Sequence, residues 1–133
     1  RRGGGYTPMP DGFIVKTESF DAGKTWTEGV DTEFVNPNAA VDLLKLKNGH
    51  LLLFYNNTII DRSPLSVAIS MDDGKTWEIK RDLVRGNDSY AYPYAIQLSD
   101  ERIALVFTSH ERSEINLAIF PEEQLIQWKE RDK

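Results

Sequence analysis

The sequence predicts an all-β fold, a partial β-propeller of four-stranded antiparallel blades, on three observations. An octapeptide recurs: Ser19-Phe20-Asp21-Ala22-Gly23-Lys24-Thr25-Trp26 returns 51 residues later as Ser70-Met71-Asp72-Asp73-Gly74-Lys75-Thr76-Trp77, identical at six of eight positions. A second unit, Leu46–Leu53, aligns on Leu98–Leu105 at an offset of 52. The apolar residues between these units alternate or run continuously over short stretches, as strands do, and no convincing amphipathic helix interrupts them. A period near fifty residues is that of a propeller blade.

The repeats divide the chain into a partial blade over residues 1–34, a full blade over 35–84 and a full but degenerate blade over 85–133. In the middle blade the first strand runs from about Val41 to Lys47 and ends at Asn48-Gly49, a strong short hairpin signal. The second, about His50–Asn56, is almost continuously apolar, as expected of a strand buried on both faces. The third, Leu65–Ser70, alternates Leu65, Val67 and Ile69, and the fourth starts at Thr76-Trp77. In the last blade Ile115–Ile119 matches Leu65–Ile69, and Trp128 matches Trp77, with Glu123 where the octapeptide aspartate should fall. Pro121–Gln127 has room for one short helical turn.

The octapeptide reads as a fold element. Gly23 and Gly74 supply the positive φ that its hairpin needs. Ser19, Asp21, Ser70 and Asp72 bond to the turn backbone, as short polar side chains do in such turns. Trp26 and Trp77 are expected to bury aromatic area between neighbouring sheets. Calcium binding is the competing reading, but one carboxylate per turn falls far short of the six to eight oxygens that ion takes.

Composition narrows the function. The 133 residues contain no cysteine, which excludes a disulfide framework, Cys-based zinc sites and thiol chemistry. A net charge of −5 argues against nucleic acid as a partner. No apolar run approaches the ~20 residues of a membrane helix, so no membrane partner is expected. The opening Arg1-Arg2-Gly3-Gly4-Gly5 lacks an apolar leader and reads as part of an internal or processed segment; the compartment stays open. His110 beside Glu111 is a poor metal site, His50 sits in a different turn, and no metal or cofactor is expected.

Strand parity sorts the loops into two ends. Tight turns and octapeptides occupy one. The longer connections occupy the other and carry Arg1, Arg2, Tyr6, Asn36, Asn38, Asn57, Asp61, Arg62, Tyr90, Tyr92, His110, Glu111 and Arg112. Function gathers on loops held by a rigid scaffold, so this second end is the candidate site. Asp42, flanked by Val41, Leu43 and Leu44, is an acid in an apolar stretch, suited to acid/base work if buried or to capping the Asn36-Pro37-Asn38 loop. Asn56-Asn57-Thr58 and Asn87-Asp88-Ser89 also fit the glycosylation pattern.

The octapeptide at blade spacing resembles the Asp-box (BNR) repeat of sialidases. The segments around Asn36-Pro37-Asn38, Lys47–Asn56, Arg62–Ser70 and Tyr90-Ala91-Tyr92-Pro93 extend the resemblance, to BNR-repeat proteins of exo-α-sialidase type, over nearly the whole chain. It implies a six-bladed propeller, of which this chain holds about two and a half blades; either further blades of a longer chain or a second copy would cover the open faces. It also implies a glycan ligand and a glycosidase working on terminal acidic sugars. Such enzymes clamp a sugar carboxylate with arginines, whose planar fork matches it, and attack with a tyrosine, the exception to the two-carboxylate scheme. On this resemblance Tyr92 is the nucleophile or an aromatic sugar platform, with Tyr90 the local competitor; Leu98, Ile103 and Phe107 follow it at the apolar spacings of the family. Asp42 becomes a candidate acid/base, and Arg2, Arg62 and Arg112 become anion contacts, beside Asn38, Asn56 and His110. One departure stands out: Asn56 occupies a position where an arginine is expected. A propeller that binds glycans or proteins without catalysis, or an acidic-polysaccharide-degrading enzyme of another class on the same scaffold, are the alternatives.

Overall fold

The computed structural model describes residues 12–128. Arg1, Arg2 and Tyr6 lie outside them. Within the described residues, nine strands form three antiparallel sheets in which sequence neighbours pair. The first sheet holds β1 (Phe13–Lys16) and β2 (Val30–Val35); the second holds β3 (Asp42–Lys45), β4 (Leu51–Tyr55), β5 (Leu65–Ser70) and β6 (Ile79–Val84). The third holds β7 (Ala91–Gln97), β8 (Ile103–Ser109) and β9 (Glu114–Phe120), followed by a short helix α1 (Glu122–Ile126). The all-β expectation holds, and the middle sheet has the four strands that its sequence pattern demands.

The sheets stack face to face on two cores. Ile14 and Phe34 of the first sheet meet Leu53, Tyr55 and Ala68 of the second. The opposite face of the second, with Leu46, Leu52, Phe54, Val67 and Ile69, meets Ala95, Ile103, Leu105 and Phe120 of the third sheet, together with Leu125 of α1. Alternation along β4 and β5 therefore sends successive side chains into two different cores, and β5 is buried throughout. The repeat register carries this packing forward. Ile96, Leu117 and Ile119 occupy the positions of Leu44, Val67 and Ile69, yet stand 45%, 63% and 46% exposed on the outer face of the third sheet.

Both octapeptide turns are wired alike. The Ser19 hydroxyl donates to Asp21 (2.9 Å) and accepts the Gly23 N–H (2.8 Å), while Asp21 accepts the N–H and hydroxyl of Thr25 at 2.8 and 2.6 Å. Ser70, Asp72, Gly74 and Thr76 repeat the pattern at 2.8, 2.8, 2.8 and 2.6 Å. Gly23 and Gly74 both have φ of 85°. The threonine hydrogen bonds hold each aspartate at a pKa of about 2. With each carboxylate already satisfied by turn donors, these elements are staples rather than ion sites.

The two tryptophans diverge. Trp77 is half-buried and stands edge-on to Phe34 of the first sheet, ring centroids 5.3 Å apart. Trp26, expected to be buried, is 61% exposed, because the described residues place no sheet on its side of β1 and β2. The third sheet differs as well. Where its tail should form an octapeptide hairpin, Pro121 ends β9 and α1 follows. Its working acid is Glu122, not Glu123: the buried Glu122 carboxylate accepts from Asn48 Nδ2 at 2.8 Å and meets His50 Nδ1, tying α1 to the β3–β4 turn.

Candidate functional site

The connections sort to two ends as parity requires. At one end Lys47 donates its N–H to Gln97 Oε1 across the first-strand turns (2.8 Å), beside the Asn48–His50–Glu122 cluster. At the other, the β4–β5 loop, the β6–β7 connection and the β8–β9 turn interlock. Tyr90 N–H donates to Arg62 O at 2.8 Å, Ser63 Oγ to Gly86 O at 2.9 Å, and His110 N–H to Asp88 Oδ1 at 3.0 Å.

Tyr92 stands at the centre of this end. Between Ala91 and Tyr94 strand β7 advances three residues while β8 advances two, from Thr108 to Val106. The extra residue makes a β-bulge, a device that re-aims a side chain. Tyr92 has φ of 53°, in a region that bulky residues avoid, and is 40% exposed. The Arg62 guanidinium lies 5.1 Å from the centroid of its ring, within cation–π range. Hydrogen bonding and charge from Arg62, followed by Arg112, lower the pKa of the Tyr92 hydroxyl below its ordinary value. Tyr55 shows the opposite influence: burial, reinforced by Asp82 and Glu33, pushes its hydroxyl up. Two tyrosines of one chain are thus driven apart, and only the loop-end one is made more acidic.

The other expected residues separate into those that face this end and those committed to the scaffold. Arg112 reaches Tyr92 from the β8–β9 turn, in which His110, Glu111 and Arg112 have φ of 47°, 51° and 74°. His110 is bracketed by Asp88 Oδ2 at 3.3 Å from Nδ1 and Glu114 Oε2 at 3.1 Å from Nε2. The two carboxylates lie on opposite ring nitrogens and do not converge, and no three His, Asp or Glu side chains among the described residues form a metal cluster. Tyr90 packs edge-on to Phe107 at 6.4 Å. Asn38, with φ of 62°, turns the β2–β3 connection. Asn56 is fully buried, and its amide donates to Pro64 O (3.0 Å) and Tyr90 O (2.9 Å). It supports the loops from beneath and does not stand in for a surface arginine; burial also withholds it from glycosylation. Asp42 is half-buried, and its Oδ2 accepts the Ala95 N–H at 2.8 Å, joining β3 to β7.

Sequence reasoning missed Asp88 and Glu114. Asp88 was visible only as the middle of a glycosylation triplet, and nothing in the sequence joins it to His110, 22 positions away.

The repeat geometry and the sequence agree with a known family. A model of the BNR repeat-like domain matches residues 6–125. The chain belongs to the BNR repeat-like family. No curated protein matches it. BNR repeat domains are found in sialidases and related glycosidases. The Asp boxes of this BNR chain are its two octapeptide turns, and its loop-rich end is the one that carries Tyr92.

Proposed function

We propose that this chain is a segment of a sialidase-like glycoside hydrolase acting on terminal acidic sugars of glycans. The observation that carries the reading is the Tyr92 phenol, thrust out by a bulge and flanked by Arg62 and Arg112 at the loop end. Two guanidiniums favour the phenolate and offer planar forks to a sugar carboxylate. In the reaction, the Tyr92 oxygen attacks the anomeric carbon and the bond to the leaving-group oxygen breaks. A general acid protonates that oxygen, and water later displaces the tyrosine. Asp42 is the acid candidate within this chain, with one oxygen already engaged by the Ala95 N–H. Asn38, Asn56, Tyr90 and His110 complete the proposed sugar-contacting end, Asn56 acting through the loops it holds; Arg2, outside the described residues, is the further anion contact of this reading. No cofactor enters. In this reading further sheets of the same repeat cover Ile96, Leu117 and Ile119 and complete the site.

The test uses the full-length polypeptide that carries these residues, with an aryl sialoside and a panel of uronic-acid glycosides. Release of the aryl group, abolished by Tyr92→Phe with binding retained, is the expected result. Full turnover by Tyr92→Phe refutes the nucleophile assignment. A second reading, a propeller that binds acidic glycans without cleaving them, is favoured by Asn56, whose buried amide leaves the clamp one arginine short. Saturable binding without release identifies that case.

A further inference from the structure

We propose that Asp88 is a positioning residue that clamps the left-handed turn His110–Arg112 and so holds Arg112 against the Tyr92 side chain. The functional meaning of this inference, though not the clamp itself, rests on Tyr92 being the reacting group of the preceding section. Three consecutive non-glycine residues with positive φ are held only where their surroundings over-determine them. The turn has two kinds of anchor. Ser113 donates its N–H and hydroxyl to His110 O at 3.0 and 2.7 Å, and Glu114 meets His110 Nε2; these come from the hairpin itself and shape the turn.

Asp88 comes from elsewhere, the β6–β7 connection that leads within four residues to Tyr92. Its carboxylate takes the His110 N–H on Oδ1 and faces the His110 ring with Oδ2. The Ser89 N–H holds Oδ1 at 2.6 Å. Its side chain is 17% exposed against 62% for His110, so the carboxylate is the fixed member of the pair and the turn is what it fixes. Among the described residues, the charged groups facing the phenol are Arg62 from the β4–β5 loop and Arg112 from this turn. Arg62 comes from the β4–β5 loop, whose ties to the β6–β7 connection run through Tyr90 N–H and Ser63 Oγ rather than through the Asp88 carboxylate, which gives the inference an internal control.

The experiment follows Tyr92 ionisation in the 133-residue chain by NMR, with tyrosine labelled at Cζ and the resonance assigned by its loss in Tyr92→Phe. Arg112→Gln and Asp88→Ala are each expected to move the midpoint upward by the same amount. Combined, they move it no further. Asp88→Ala and Arg62→Gln, in contrast, add in full. Asp88→Glu, which displaces the acid by one methylene, runs through the same cycles if the alanine variant does not fold. A folded Asp88 variant with the wild-type Tyr92 midpoint overturns the proposal, as does full additivity with Arg112→Gln. Turnover undiminished by Tyr92→Phe overturns the enzymatic reading alone and leaves this result standing.

Discussion

Replacing Asn56 tests how the loop end is built, because one buried amide supports two of its segments. Asn56 Nδ2 donates to Pro64 O, just before β5, and to Tyr90 O, just before the bulge that carries Tyr92. Its Oδ1 has no partner among the described residues, so the donor side carries the contribution. Asn56→Ala leaves two carbonyls without their partner, at about 1–3 kcal/mol each, or roughly 2–6 kcal/mol together. With an m-value of about 2 kcal/mol per M, the urea midpoint falls by about 1–3 M. Asn56→Asp costs more, since it turns an oxygen toward two carbonyl oxygens in a site with no exposure. Urea titrations followed by tryptophan fluorescence measure both variants. The expected order is Asn above Ala above Asp. An alanine variant within about 0.5 kcal/mol of the parent, or an aspartate variant more stable than alanine, refutes the argument.

Two further predictions concern the scaffold. The Asp21 and Asp72 carboxylates have folded pKa values of about 2, below the 3.8 of the free side chain. Their stabilisation is therefore present above about pH 4 and disappears as pH falls toward 2, and the double variant Asp21→Asn/Asp72→Asn should show a flatter loss of urea midpoint over that interval. Phe34, 4% exposed, stands edge-on to Tyr55 and Trp77 at 5.1 and 5.3 Å. Phe34→Ala should cost about 3–5 kcal/mol in urea unfolding and shift the emission of Trp77 to the red, with an unchanged spectrum counting against the contact.

The scaffold was legible because it repeats. Six identities in an octapeptide fixed the hairpins, and the offset between Leu46–Leu53 and Leu98–Leu105 fixed the first two strands of two sheets. The departures occurred where the repeat stops constraining the chain. Trp26 lacks the wall that Phe34 gives Trp77, and in the third sheet Glu122, one residue from the expected Glu123, is the acid that binds. The site was legible as a list of residues but not as an arrangement. Arg62 and Arg112 lie 30 and 20 positions from Tyr92, and sequence patterning says nothing of the bulge that turns the tyrosine out or the turn that brings Arg112 to it.

Two side chains that looked chemical in the sequence are engaged by backbone. Asp42 takes an N–H of the neighbouring sheet, and Asn56 supplies N–H groups to two carbonyls. What faces Tyr92 is cationic, although the chain as a whole carries −5. The contrast matters because attraction of a ligand depends on the local field rather than on net charge, and a pair of guanidiniums beside one hydroxyl can meet a small anion while the acidic remainder repels long polyanions. A net acidic chain that argues against nucleic acid is therefore compatible with the small acidic sugar proposed above. It also assigns the arginines a double task, since a guanidinium occupied by a substrate carboxylate has less charge to spare for the phenolate. Arg62, stacked over the Tyr92 ring, suits the phenol, while Arg112, exposed at the rim and held from behind by the Asp88-clamped turn, is the better placed of the two to meet an incoming carboxylate.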